Sequence, residues 1–210
     1  MIRDVSIPMG PAVPEWPGDV PFSCGWTWRI ASGASVNVSA ITTSPHVGTH
    51  ADAPLHVRDG WPASDMLPID AFIGPAVVCS VRPDAVLITP DDLRTLPARD
   101  AIPRLLLHTE CSIAAGRFPD AWPVLASAAV EMLLERGVRL VGVDAPSVDA
   151  RQSTTLEVHH RLFEAGANVL ENLDLRAVPD GAYELIALPL RVQGIDAAPV
   201  RAVVRELGTA

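Results

Sequence analysis

The chain predicts an α/β domain built on a mixed sheet. Three observations carry this: short apolar runs of strand length recur along it, two or three segments bear helix-end signals, and near residue 140 a helix pattern passes straight into a strand pattern, the order of a β-α-β unit. At 210 residues it suits one domain over 1–210 with a sizeable core, and a hydrophobic fraction of 49% agrees.

The elements follow in order. Residues 2–7 predict a first short strand, and the proline-rich stretch 11–21, containing Trp16-Pro-Gly-Asp19, an irregular loop. Residues 26–30 and 35–41 alternate well enough for strands, the second leading into a histidine-rich segment. Residues 76–81 and 104–108 are apolar runs typical of buried strands. Thr89-Pro90-Asp91-Asp92 offers a cap, a first-turn proline and acids near a helix start. Ser127 is placed to cap a helix over 128–136 that Gly137 stops, and 138–143 then reads as a strand. Thr154 and Glu157 have capping-box spacing and open a helix that ends near Gly166. Residues 169–173 and 183–190 predict further strands.

Composition narrows the function. A net charge of −9 and a pI near 5.0 speak against nucleic acid or an anionic membrane as partner. No apolar run approaches the ~18 residues of a membrane span, and the first residues lack the layout of a secretion signal, so a cytoplasmic protein is expected. Cys24, Cys79 and Cys111 lack C-x-x-C spacing and predict free, buried thiols. All 16 basic residues are arginine, which removes Schiff-base chemistry and the phosphate-loop lysine together. Neither G-x-S-x-G nor G-x-G-x-x-G occurs, against a nucleophile-elbow hydrolase and a dinucleotide fold. Metal-assisted chemistry is left.

Residues 46–56 supply its ligands. His46-Val-Gly-Thr-His50-Ala-Asp52-Ala-Pro-Leu-His56 places three of the chain's six histidines and a carboxylate in one short segment. Imidazole and carboxylate are common ligands of a borderline metal such as zinc. Gly48 and Pro54 oppose a continuous helix; in extended chain His46, His50, Asp52 and His56 share parity and one face. A straight strand would put His46 and His50 roughly 13 Å apart. The chain must therefore bend between them, and Gly48 is best able to allow it. Further on, His159 shares the inward helical face of Leu156 and Phe163, while His160 projects about 100° away. Glu171 sits inside the apolar run Val169-Leu-Glu-Asn-Leu173, where a carboxylate is costly unless paired or metal-bound. His108, ending Leu105-Leu-Leu, is a weaker candidate for the same pocket.

The pattern His46-x-Gly-Thr-His50-x-Asp52-x-Pro54-x-His56 resembles the signature of the bacterial cyclase-type metal hydrolases. Trp16-Pro-Gly-Asp19, Asp144-Ala-Pro-Ser-Val-Asp149, His159 with Glu171, and Tyr183-Glu-Leu-Ile-Ala-Leu-Pro-Leu190 extend the likeness over nearly the whole chain. The resemblance implies a compact mixed-sheet α/β domain of swivelling β/β/α type, assembled as a homodimer. It implies two zinc ions (Zn2+) per subunit, one on His46, His50 and Asp52, the other on Asp52, His159 and Glu171. His56 would be the catalytic acid/base, and Trp16 would line the substrate pocket. The branch of the family most alike hydrolyses the small molecule N-formyl-L-kynurenine. Opening of a cyclic amide such as isatin by the same ligands, or a non-catalytic protein keeping a structural metal, are the alternatives.

Overall fold

A computed structural model describes residues 1–97 and 102–207. The strands are β1 (Ile2–Asp4), β2 (Ser23–Trp28), β3 (Val38–Thr42), β4 (His50–Asp52), β5 (Ile73–Ser80), β6 (Leu87–Ile88), β7 (Arg104–His108), β8 (Val124–Leu125), β9 (Leu140–Val143), β10 (Asn168–Glu171), β11 (Gly181–Ile186), β12 (Ala197–Pro199) and β13 (Val203–Glu206). Two α-helices, α1 (Ser127–Glu135) and α2 (Glu157–Glu164), precede β9 and β10.

Nine strands form one sheet in the order β1-β13-β11-β5-β7-β9-β10-β4-β12. Its centre, β5-β7-β9-β10, is parallel, and the remaining pairs are antiparallel. The expected β-α-β order is realised twice, with α1 crossing from β7 to β9 and α2 from β9 to β10. The sheet curls: Val5 N–H donates to Ala202 O, and Ser6 bridges Leu173, bringing the β1–β13 edge back towards the middle.

The parallel strands are apolar on both faces, as burial on both sides requires. Leu105, Leu107, Val141, Val143 and Val169 point to the helical side and pack with Val130, Leu133, Leu162 and Phe163. Leu106, Leu140 and Leu170 point to the opposite core, with Phe72, Leu173 and Leu185. Alternation therefore puts Glu171, of the same parity as Val169, on the side of α2.

Four expectations are corrected. Residues 91–96 form successive turns, Leu93 N–H to Pro90 O and Leu96 N–H to Leu93 O, rather than the helix that Thr89 and Pro90 suggested. Pro97 follows at once and disfavours helical backbone before it. In α2 the capping box of Thr154 does not form: the helix begins at Glu157, after Leu156 in left-handed backbone (φ 46°). Its first amides instead meet the Asp149 carboxylate, which accepts from Val158 N–H and His159 N–H at 3.0 Å each. A charged acceptor at a helix N-terminus outcompetes a neutral hydroxyl. Ser127 likewise is the first residue of α1, not its cap. Finally, only Cys79 is buried; Cys24 is exposed on β2.

Gly142 of β9 lies where an added Cβ would stand 2.5 Å from Leu106 Cδ2 and 3.0 Å from Leu173 Cδ1. Both leucines are fully buried and have little room to yield. Gly142→Ala should destabilise the fold by about 1–3 kcal/mol, read as a fall in Tm; an unchanged Tm would show that this core relaxes freely.

Candidate metal centre

Register brings the candidate ligands together. β4 and β10 pair antiparallel with Glu171 opposite His50 and Val169 opposite Asp52, so His50, Asp52 and Glu171 share the helical face of the sheet. α2 then lowers His159, fully buried on its inward face, onto the same spot. His46 arrives by a turn and not by strand parity: the chain bends at Gly48, at φ +74°, between the two histidines. His56 follows in the 3-10 turn Pro54–His56 and is likewise placed by a turn.

The resulting contacts are close. His46 Nδ1, His50 Nε2 and Asp52 Oδ1 form a triangle with sides of 3.0, 3.1 and 3.2 Å. His159 Nε2 lies 3.0 Å from Asp52 Oδ2 and 3.3 Å from Glu171 Oε1. Asp52 is buried completely and spans both groups.

The outward nitrogens fix what the inward ones can do. His50 Nδ1 faces Gly48 O at 2.9 Å, His159 Nδ1 faces Asp149 Oδ2 at 2.7 Å, and His46 Nε2 faces Asp196 Oδ2 at 2.9 Å. Each of these nitrogens is a donor, so in the neutral imidazole the other nitrogen carries a lone pair. Three lone pairs and two carboxylates thus converge with no donor among them. Asp52 Oδ1 has no hydrogen-bond partner although it is buried. Such convergence is unfavourable unless a cation, or a set of protons, occupies the centre. Nitrogen and carboxylate oxygen at these spacings fit a divalent metal: tetrahedral bonds of about 2.1 Å imply ligand separations of roughly 3.4 Å.

The titration behaviour has the same origin. Burial opposes the charged form of His46, yet the Asp52 and Asp196 carboxylates outweigh it and raise its pKa to about 10. Burial is likewise overridden at His159, which Asp149, Asp52 and Glu171 hold well above the ordinary range. Asp52 is pushed far down by the surrounding imidazoles despite its burial. His46 and His56 hold Asp196 below the usual carboxylate range.

A cavity of about 260 Å³ opens over this centre, lined by Trp16, Asp19, Phe118, Ser147 and Asn172 together with His46, His50, His56 and Glu171. Trp16, Phe118 and Trp122 meet edge to face at 5.3–6.0 Å, forming an aromatic wall. The Trp122 indole N–H donates to Asp149 O at 2.9 Å, tying that wall to the residue that orients His159. A larger recess of about 550 Å³ lies beside α1 and α2 and contains none of the histidines.

All the sequence-predicted site residues, His46, His50, Asp52, His56, His159, Glu171 and Trp16, thus meet at one cavity or directly beneath it. His108 does not: it ends β7 beside Asp144, 3.8 Å away, outside the lining of that cavity. Two residues were missed. Asp196 joins His46 to His56, its Oδ2 lying 2.9 and 3.3 Å from their rings, and Asp149 both caps α2 and orients His159. A lone aspartate in the loop before β12 carries no local signal. Asp149 closed a recognisable motif, but its role required the fold.

Without a metal, protons must stand in for it. A histidine whose pKa is raised from about 6.5 to about 10 contributes stability that is complete below pH 6.5 and lost as pH rises through 10. Chelator-treated protein should therefore lose thermal stability between about pH 6.5 and 10. His46→Gln should flatten that decline, and so should restoring the metal, which displaces the proton. A decline of equal slope in all three samples would place its cause elsewhere.

The comparisons with known proteins agree with this centre. Residues 3–150 match the family model described as "Putative cyclase". Over 206 residues, 98% of each chain, the protein is 45% identical to the kynurenine formamidase of Bordetella petrii. The solved structure of a "potential metal-dependent hydrolase with cyclase activity" superposes with a TM-score of 0.84 at 29% identity, covering 99% of both chains. Isatin hydrolase A from Ralstonia solanacearum gives a TM-score of 0.80 at 25% identity, over 97% of this chain and 91% of its own. With a family match over most of the chain and a relative alike from end to end, the protein belongs to the cyclase family of metal-dependent hydrolases.

Proposed function

We propose that the protein hydrolyses N-formyl-L-kynurenine to L-kynurenine and formate, a step of tryptophan breakdown. The observation that carries this reading is the convergence of donor-less lone pairs around Asp52 beneath an aromatic cavity, in a chain 45% identical over its length to a kynurenine formamidase. In this reading His46, His50 and Asp52 hold one zinc ion, and Asp52, His159 and Glu171 a second. The all-nitrogen-and-oxygen donor set supports zinc. When bound, a metal of this kind lowers the pKa of its water to about 7 and stabilises negative charge on a carbonyl oxygen.

The chain's own residues do the rest. The substrate's aryl ring lies against Trp16, whose indole is fixed by Phe118 and Trp122. His56 is half-buried at the cavity, and Asp196, 3.3 Å from its Nδ1, holds the proton on that nitrogen. Nε2 is then free to take a proton from the attacking water. It returns that proton to the aryl nitrogen as the C–N bond breaks, so the amine does not depart as an anion. Asp196, kept ionised by both histidines, stabilises the imidazolium formed between these two transfers.

His56 also comes within 4.8 Å of the His46 and Asp52 ligand atoms. Proximity alone does not separate a metal ligand from an acid/base. The half-exposed ring and its Asp196 partner support the second role.

The protein is further proposed to be a cytoplasmic homodimer. No helix among the described residues is long and apolar enough to cross a membrane. The β2–β3 ribbon exposes Trp26, Trp28 and Ile41, and an isolated two-stranded ribbon is marginally stable, which supports a partner subunit covering it.

Purified protein should release kynurenine and formate from N-formyl-L-kynurenine, lose that activity on chelation, and regain it with zinc. Isatin assayed in parallel tests the sister reaction. His56→Ala should lower turnover by about 10²–10⁴-fold with metal content retained; loss of metal along with activity would make His56 a ligand instead. Trp16→Ala should raise KM for aryl formamides more than it lowers kcat, and unchanged kinetics would remove Trp16 from the pocket's function.

A further inference from the structure

The cavity contains one charged side chain that neither the metal centre nor the proton transfers employ, Asp19. Asp19 and Trp16 are the two ends of a single tight turn. Asp19 N–H donates to Trp16 O at 2.9 Å, Pro17 occupies the second position, and Gly18 the third at φ +94°. This is the backbone of a type II turn, which favours proline and then glycine at those positions. Trp16-Pro-Gly-Asp19 therefore presents an aromatic ring and a carboxylate to one cavity as a rigid unit.

The carboxylate is available. Asp19 Oδ1 accepts only the neighbouring Val20 N–H, at 2.7 Å, and no ion pair engages Asp19 among the described residues. Among the described residues no arginine lines the cavity, and the chain has no lysine. The described lining thus offers an anionic acceptor beside the aromatic wall and no cationic donor from Lys or Arg.

A substrate with a free amino-acid end brings an ammonium and a carboxylate. Only the ammonium finds opposite charge at the turn. We propose that Asp19 is a specificity residue that holds the α-ammonium of the substrate, with the α-carboxylate left towards solvent. This rests on the formamidase reading above and names the group by which the site selects its substrate.

Three formamides separate the possibilities: N-formyl-L-kynurenine, its decarboxylated amine, and its deaminated acid. Metal-loaded wild-type protein should prefer both amine-bearing compounds over the deaminated acid by about 10–100-fold in kcat/KM, chiefly through KM, as expected for a charge-assisted hydrogen bond. Asp19→Asn should collapse that preference to within a few-fold. The readout is a ratio between substrates, so a general loss of fold or metal would not mimic it. A wild-type enzyme that treats all three compounds alike overturns the role of Asp19 alone, as does a variant that keeps the wild-type ratio. No turnover of any of the three by metal-loaded wild type overturns the formamidase reading, and this inference with it.

Discussion

The structure is organised around the burial of Asp52. A carboxylate with no solvent exposure is costly, and its Oδ1 has no hydrogen-bond donor among the described residues, yet the neutral imidazoles of His46, His50 and His159 would turn lone pairs towards it and Glu171 adds a second carboxylate. Such an arrangement persists only if a cation, or protons on His46 and His159, occupies the centre while the surrounding fold holds the groups in place. Much of the local architecture does the holding. Gly48 bends the chain, the β4–β10 register sets Glu171 opposite His50, and Asp149 fixes both the start of α2 and the ring of His159.

The supporting residues deserve as much weight as the ligands. Each of the three inward imidazoles has its far nitrogen engaged by a carbonyl or a carboxylate, which selects the tautomer able to bind a metal. Glu171 is held in its turn by Val148 N–H at 2.8 Å. Of the three non-glycine residues at positive φ among the described residues, Glu110 lies beyond β7, whereas Leu156 and Asn172 flank the centre, one just before α2 and the other just after β10. Their strain is borne by elements whose apolar contacts lie elsewhere in the two cores.

The same frame separates chemistry from selection. The ligand-bearing strands and α2 rest on the packed sheet, so the centre is rigid and deep. Trp16, Asp19 and Phe118 come from loops over it. A kynurenine formamidase and an isatin hydrolase are similar to this chain at 45% and 25% identity, and the second shares its fold.

What the sequence determined by itself was the chemistry and the local geometry. Residue types at short spacing named His46, His50, Asp52 and His56, required a bend at Gly48, and placed His159 on an inward helical face, because such features depend on neighbours within a few positions. Family likeness was needed to bring in His159 and Glu171 as ligands. The tertiary structure decided everything that joins distant segments: the opposition of Glu171 to His50, the capping of α2 by Asp149 instead of Thr154, and the service of one Asp196 carboxylate to two histidines 140 and 150 residues away. Strand register and loop placement follow from how the whole sheet packs and curls. No local pattern of side chains encodes them.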